Sequence, residues 1–170
     1  MSEIEPNFDT KHRFFSFSKY TAIILSIIGV SFIIHFYYFP NQVPLSADAL
    51  YYFWYSSAIY QTGELPNSWT PPNNFWPILV GFIFTIFDSK EIFTLMNTQK
   101  IFSVLISVLT TIPVYYLCKN FVARKIAIIG ASLIAFDPRL IINSFLGITD
   151  PLNLLLISIS LVLFLSNNKN

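Results

Sequence analysis

"FWPILVGFIFTIF", residues 75 to 87, runs thirteen residues without a charge, and its reading decides how the whole chain is threaded. As a helix it would be about 20 Å long, against a bilayer core of about 30 Å. It is therefore expected to lie in the interface or to re-enter rather than to cross. If it did cross, every later loop would change sides.

Outward from this stretch, the chain divides into apolar runs and short charged clusters. Tyr20 to Phe39 holds no Asp, Glu, Lys or Arg over twenty residues, enough for one crossing. Pro40 ends that run, and Tyr37, Tyr38 and Phe39 fall where an interfacial aromatic belt would sit. Further spans are expected at about 101–118, 124–142 and 151–166. Residues 1–19 and 167–170 then read as cytoplasmic tails, with 1–16 and 167–170 expected to be disordered. Residues 20–166 form one transmembrane module, and 40–100 is a long first outer loop carrying interfacial helices.

The loop charges favour this arrangement. With four spans Lys11, Arg13, Lys19, Lys119, Arg124, Lys125 and Lys169 face the cytoplasm, and Lys90, Lys100 and Arg139 face outward. With five, the short loop "CKNFVARK" moves outside with its three cations.

Composition gives the class. Hydrophobic residues make up 54% of the 170, charged residues 11%, and the mean hydropathy is +0.59. Ordinary soluble domains carry about 25% charged residues. The expected fold is an all-α polytopic membrane bundle, multi-pass in the cell membrane and in contact with its lipids. A net charge of +1 offers no footprint for nucleic acid. Cys118 is the single cysteine, which excludes a disulfide framework within the chain. There is no glycine-rich phosphate loop, HExxH, Gly-x-Ser-x-Gly or internal repeat.

Threading with four spans puts two carboxylates at one membrane face. Asp48 opens the first outer loop, in "PLSADALYYFWYSSAIYQTGELP" (residues 44–66), with six aromatic residues in the next twelve positions. Asp150, in "LGITDPL", closes the second. Five spans would place them on opposite faces.

A span followed by an outer loop that opens with Asp48, has Tyr52 four residues on and Gly63 fifteen residues on, resembles the start of the GT-C glycosyltransferases. These include the protein O-mannosyltransferases and the lipid A aminoarabinose transferase. Pro71–Pro72 before a short apolar helix, and the two-helix unit ending in "LGITDPL", continue the resemblance over about residues 20–166. It implies inverting transfer of a sugar from a polyprenyl-phosphate donor to an acceptor on the extracytoplasmic face. Asp48 would be the general base, and Asp150 would help position the acceptor or a divalent cation. Arg139 and Lys100, with Lys90 behind them, would meet the leaving phosphate, and Tyr52 would line the substrate. Family enzymes are several times longer. The chain is therefore expected to be an N-terminal module, with a partner chain or missing helices completing it.

Each residue also has a plainer reading. Asp48 suits the first turn of a helix, and Asp150 before Pro151 suits an N-cap with proline at the first helical position. The aromatic residues 51–60 suit an interfacial anchor, and Glu64 a solvated loop. His35, inside the first span, is expected to be neutral and bonded to a neighbouring helix. Arg139 could snorkel to headgroups or pair with Asp137. Beside the enzyme module stands a reading from another class: a non-catalytic membrane subunit or remnant that packs against partner helices.

Overall fold

The structure, a computed structural model, describes residues 19–66 and 75–167. Pro71–Pro72, Lys11, Arg13 and Lys169, and the expected disorder at 1–16 and 168–170, lie outside the described residues; Asn167, also expected to be disordered, ends the last helix. Eight helices occur among those described: α1 Lys19–Tyr37, α2 Ala47–Thr62, α3 Phe75–Phe87, α4 Ile92–Leu109, α5 Thr111–Lys119, α6 Arg124–Ala135, α7 Pro138–Phe145 and α8 Asp150–Asn167. No strand is present among the described residues, so the all-α bundle of apolar helices stands. Three helical stretches are long and apolar enough to cross a membrane: α1, α4 with α5, and α8. The bent pair α6–α7 makes a fourth if it counts as one span.

Helix α1 buries a stripe, Ile24, Ser31 and His35, half-buries Ile27, Ile28 and Phe32 beside it, and exposes Ile23, Leu25, Val30, Ile33 and Phe36, as expected of a helix bordered by lipid on one side. Its two ends meet different parts of the chain. At the start, Lys19 lies 5.4 Å and Arg124 5.8 Å from the centre of the Tyr20 ring. That end therefore gathers the beginnings of α1 and α6, with Lys119 just before. At the other end, Asn41 O accepts from Asn97 Nδ2 at 3.1 Å, and Pro40 O accepts from Lys100 Nζ at 3.1 Å.

The sequence places the second span at 101–118, but the helix begins nine residues earlier, at Ile92, and runs to Lys119 with a join at Thr110. Thr94, Asn97, Thr98, Gln99 and Lys100 look like loop residues. Within the helix their polar side chains are all used: Thr94 donates to the Glu91 carboxylate, Thr98 to α4's own Thr94 O, and Asn97, Gln99 and Lys100 to carbonyls of neighbouring segments. The join has a local cause. Pro113 supplies no N–H to the turn before it, and Thr110 Oγ1 turns back to Ile106 O at 2.9 Å.

The third expected span, 124–142, is broken. Helices α6 and α7 meet at 45° because Pro138 cannot continue the ladder. Asp137 caps the new helix, accepting from the backbone N–H of Arg139 at 2.8 Å and of Leu140 at 3.1 Å, with Pro138 at the first helical position. Asp137 thus meets Arg139 through its backbone N–H as a cap rather than through an ion pair with its guanidinium. Breaking the helix frees the Ala135 carbonyl. Ser31 Oγ, from α1, donates to it at 2.9 Å, as a bilayer interior demands of any exposed carbonyl.

Helix α3 packs its buried side, Trp76, Pro77, Val80, Gly81 and Phe84, on α2. Ser56 Oγ donates to Pro77 O at 2.8 Å where the two helices touch. A side chain on Gly81 would come within 3.1 Å of Ile59 Cβ and Ser56 O, tighter than ordinary contact, so glycine keeps this approach close. The largest core unites α2, α3, α4 and α8 through Leu45, Ala49, Phe53, Trp76, Val80, Phe84, Leu95, Met96, Ile106 and Leu152. The first outer loop of the sequence reading is therefore mostly helix, and it shares a core with the spans.

Candidate functional site

Asp48 lies in the first turn of α2, one residue into the helix, and is exposed. Ser46 holds the N-cap position without a side-chain bond. Four residues on, Tyr52 is half-buried against the largest core. Gly63 ends the helix at φ +74°, its N–H bonding Ile59 O at 2.8 Å. Only glycine adopts that conformation at low cost, so the Asp48–Tyr52–Gly63 spacing spans one helix from its first turn to its C-cap.

Asp150 is the first residue of α8 and is also exposed. Thr149 takes the N-cap position, its carbonyl accepting from Asn153 N at 3.0 Å. The Asp–Pro cap read for Asp150 is realised at Asp137 instead. Asn143 Nδ2 approaches Asp150 Oδ2 at 3.5 Å. Asp150, Asn143, Ser107, Leu140, Pro151 and Leu154 line a cleft of about 220 Å³.

What brings the two segments together is Gln99. Its Nε2 donates to Ala49 O at 3.1 Å and to Gly147 O at 2.8 Å. Ala49 follows Asp48, and Gly147 precedes Asp150 by three residues. One nitrogen thus holds the backbones of both acid-bearing segments. Trp76 Nε1 adds a second donor to Gly147 O at 3.1 Å, and its ring stacks on Phe102 with centroids 5.5 Å apart. Gly147 has φ +70°, and a side chain there would press on Gln99 and Leu45 at 3.3 Å. The two acids therefore belong to the same end of the bundle, away from the Tyr20–Arg124 end.

Lys100 is not where the sequence reading needs it. It was expected to face outward toward a leaving phosphate, but its side chain is 1% exposed and its Nζ donates to Pro40 O and Val43 O. The amine ties the α1–α2 connection to α4. Arg139 does remain exposed, beside Leu140 of the Asp150 cleft. Lys90 is exposed between α3 and α4. Glu64 is exposed as expected, its N–H bonding Thr62 Oγ1 at 3.2 Å.

Among the described residues no three His, Cys, Asp or Glu side chains gather where a metal could bind. The donor set around Asp48 and Asp150 therefore does not fit a divalent cation held by protein ligands alone, and no step is assigned to one.

His35 is buried, with Nδ1 2.7 Å from the carbonyl of Ser31 and its ring edge-on to Phe145 of α7. A carbonyl only accepts, so Nδ1 carries the hydrogen. The expected bond to a neighbouring helix is thus made to its own, while Ser31 makes the inter-helix bond.

Sequence reasoning missed Gln99, Trp76 and Gly147. Their traces are faint: a Gln–Lys pair at the edge of an apolar run, and a glycine three residues before an acid. No family model matches the sequence, and neither a curated protein nor a solved structure does.

Proposed function

We propose that this chain is a membrane module of an inverting glycosyltransferase that takes a polyprenyl-phosphate sugar as donor, with Asp48 as the base. The observation that carries the reading is Gln99 joining Ala49 and Gly147, because it sets both acid-bearing segments at one end of the bundle. The sugar transfer itself comes from the resemblance of Asp48, Tyr52, Gly63 and the "LGITDPL" unit to the GT-C enzymes.

Four crossings are part of the proposal. Lys19, Lys119, Arg124 and Lys125 belong to the end where α1 and α6 begin, which the positive-inside tendency makes cytoplasmic. The acid-bearing end is then extracytoplasmic.

In the proposed step an acceptor oxygen or nitrogen attacks the anomeric carbon, and the bond from that carbon to the phosphate oxygen breaks. The lipid phosphate leaves with the electron pair, and the acceptor's proton passes to the Asp48 carboxylate, which must reach it within a hydrogen bond. Arg139 is the exposed cation nearest in sequence to the Asp150 cleft and would meet the leaving phosphate. Lys100 is committed to carbonyls and has no part in this step.

One observation favours the non-catalytic alternative: no cation lines the Asp150 cleft. The deciding experiment is Asp48→Asn, assayed with a panel of short-chain polyprenyl-phosphate sugars in the fullest natural context of the chain. A base contributes about 10²-fold or more to the rate, so transfer should fall by that factor with insertion unchanged. Asp48 sits in the first turn rather than at the N-cap, so Asn gives up only the charge's interaction with the helix dipole, and stability should move by about 0.3–1 kcal/mol. Transfer undiminished in Asp48→Asn would remove Asp48 from the reaction. Absence of transfer in the unmodified protein with every donor would leave the subunit reading.

A further inference from the structure

We infer that Gln99 is a positioning residue, whose one side-chain amide sets the separation of the Asp48-bearing and Asp150-bearing segments. The inference rests on the reading above that these two acids border one site.

Hydrogen-bonding need alone does not account for Gln99. Gly147 O already accepts from Trp76 Nε1. Ala49 O lies in the first turn of α2, where the helix's own ladder pairs it with the N–H of residue 53. Neither carbonyl would be left without a donor if Gln99 were absent. Yet Gln99 is fully buried, and its own Oε1 has no partner, which carries a desolvation cost. An apolar side chain of the same length would fill the space without that cost. What it could not do is hold two carbonyls of different segments on one nitrogen.

The space between Gly147 and the amide is tight. The Gly147 backbone is in the left-handed region, with Gln99 Cγ at 3.3 Å from where a side chain would begin. Leu45, immediately before α2, presses on the same point at 3.3 Å. Lys100, the next residue, holds the chain upstream of α2 through Pro40 O and Val43 O. Two adjacent residues of α4 therefore fix the approach to Asp48 from both sides, and one of them also fixes the approach to Asp150. Neither touches a carboxylate. Their effect on chemistry would be exerted through placement.

The test measures that placement directly. In a Cys118→Ala background, spin labels at Ala47 and Asn153, both exposed, report the spacing of the two helix starts by pulsed electron resonance in lipid nanodiscs. With Gln99 present the distance distribution should be single and narrow. Gln99→Met keeps the length and removes the donors, and should give a broader distribution with a longer mean. Gly147→Ala should reproduce this with Gln99 intact, because its new methyl displaces the amide. Trp76→Phe should not, since Gln99 still bridges. This control and the Gly147 arm keep the test decisive should Gln99→Met fail to insert. In the transfer assay Gln99→Met should lower kcat by about 10²-fold with donor KM unchanged, the signature of misplacement rather than lost binding. An unchanged distribution in Gln99→Met, equal broadening in Trp76→Phe, or a widened distance with kcat intact would each overturn the inference. A widened distance in a protein that transfers no sugar would uphold the placement and defeat the glycosyltransferase reading instead.

Discussion

Lys100→Met separates a structural lysine from a substrate-binding one. The side chain is 1% exposed, and its Nζ bonds Pro40 O and Val43 O, so methionine keeps most of the buried stem and removes only the donor. A hydrogen bond to a charged donor contributes about 1.5–3 kcal/mol. The two bonds do not add fully. They share one desolvation of the amine, and Val43 is 56% exposed, so water can replace part of what is lost at its carbonyl. The expected loss is about 2 kcal/mol, a large share of the 5–15 kcal/mol typical of a folded domain. Lys100→Arg should cost at least as much, because a planar guanidinium does not fit a cavity shaped to an ammonium. Reversible unfolding in mixed micelles gives the number. A lysine free to meet a phosphate would behave oppositely, sparing stability and weakening donor binding. A loss below about 0.5 kcal/mol, within the range of ordinary surface substitutions, would refute the assignment of Lys100 to the fold.

Ser31→Ala removes the donor to Ala135 O at the α6–α7 break and should cost about 0.6–1 kcal/mol in the same unfolding measurement, the usual worth of one such bond between membrane helices. Gly130→Ala would place a methyl 2.8 Å from Cys118 Sγ and should cost about 1 kcal/mol; Cys118→Ala in the same chain should recover most of it. The Tyr60 phenol is held above its ordinary value chiefly by the hydrogen bond it donates to Asp88. Its contribution to stability is therefore present below about pH 10 and lost as the pH rises through the raised value; Asp88→Asn should bring its carbon-13 titration back toward pH 10. Cysteine scanning should label Ser89 from outside the cell and Ala123 only from within, and labelling of Ala123 from outside would overturn the four-crossing topology.

The class was legible because a bilayer imposes a strong rule. Long runs without charge must be helices, and Tyr20–Phe39 and 151–166 emerge as α1 and α8 within a few residues. Interruptions were harder to place. Pro138 was visible between Asp137 and Arg139, but the stretches beyond those two charges are apolar, so residues 124–142 read as one span until the Asp137 cap and Ser31 showed how a break is tolerated there. The start of α4 was illegible for the opposite reason. Thr94, Asn97, Gln99 and Lys100 are polar, and hydropathy cannot distinguish a polar residue facing water from one reaching a buried carbonyl. Asp48 and Asp150 were found from their places in the threading. The residues that unite their segments bond to backbone atoms, which leave no pattern in the sequence.

That division of labour has a consequence for the acid-bearing end. Gln99, Lys100, Trp76 and Asn97 all reach carbonyl oxygens, so the convergence of the two segments is held by side-chain donors and backbone acceptors. Asp48 and Asp150 are exposed, and among the described residues the hydrogen bond that reaches either carboxylate is the 3.5 Å approach of Asn143. Stability and any carboxylate chemistry thus rest on different atoms. A site built this way can lose a carboxylate without losing its shape. Conversely, Gln99 can be replaced with both carboxylates intact, and the chemistry should suffer through placement alone. A structure whose acids served only as helix starts would gain from joining Ala49 to Gly147 only the stability of those two bonds, offset in part by the unsatisfied Gln99 oxygen. The cost accepted at Gln99 is the physical reason to look for function between Asp48 and Asp150 rather than along the apolar faces of the spans.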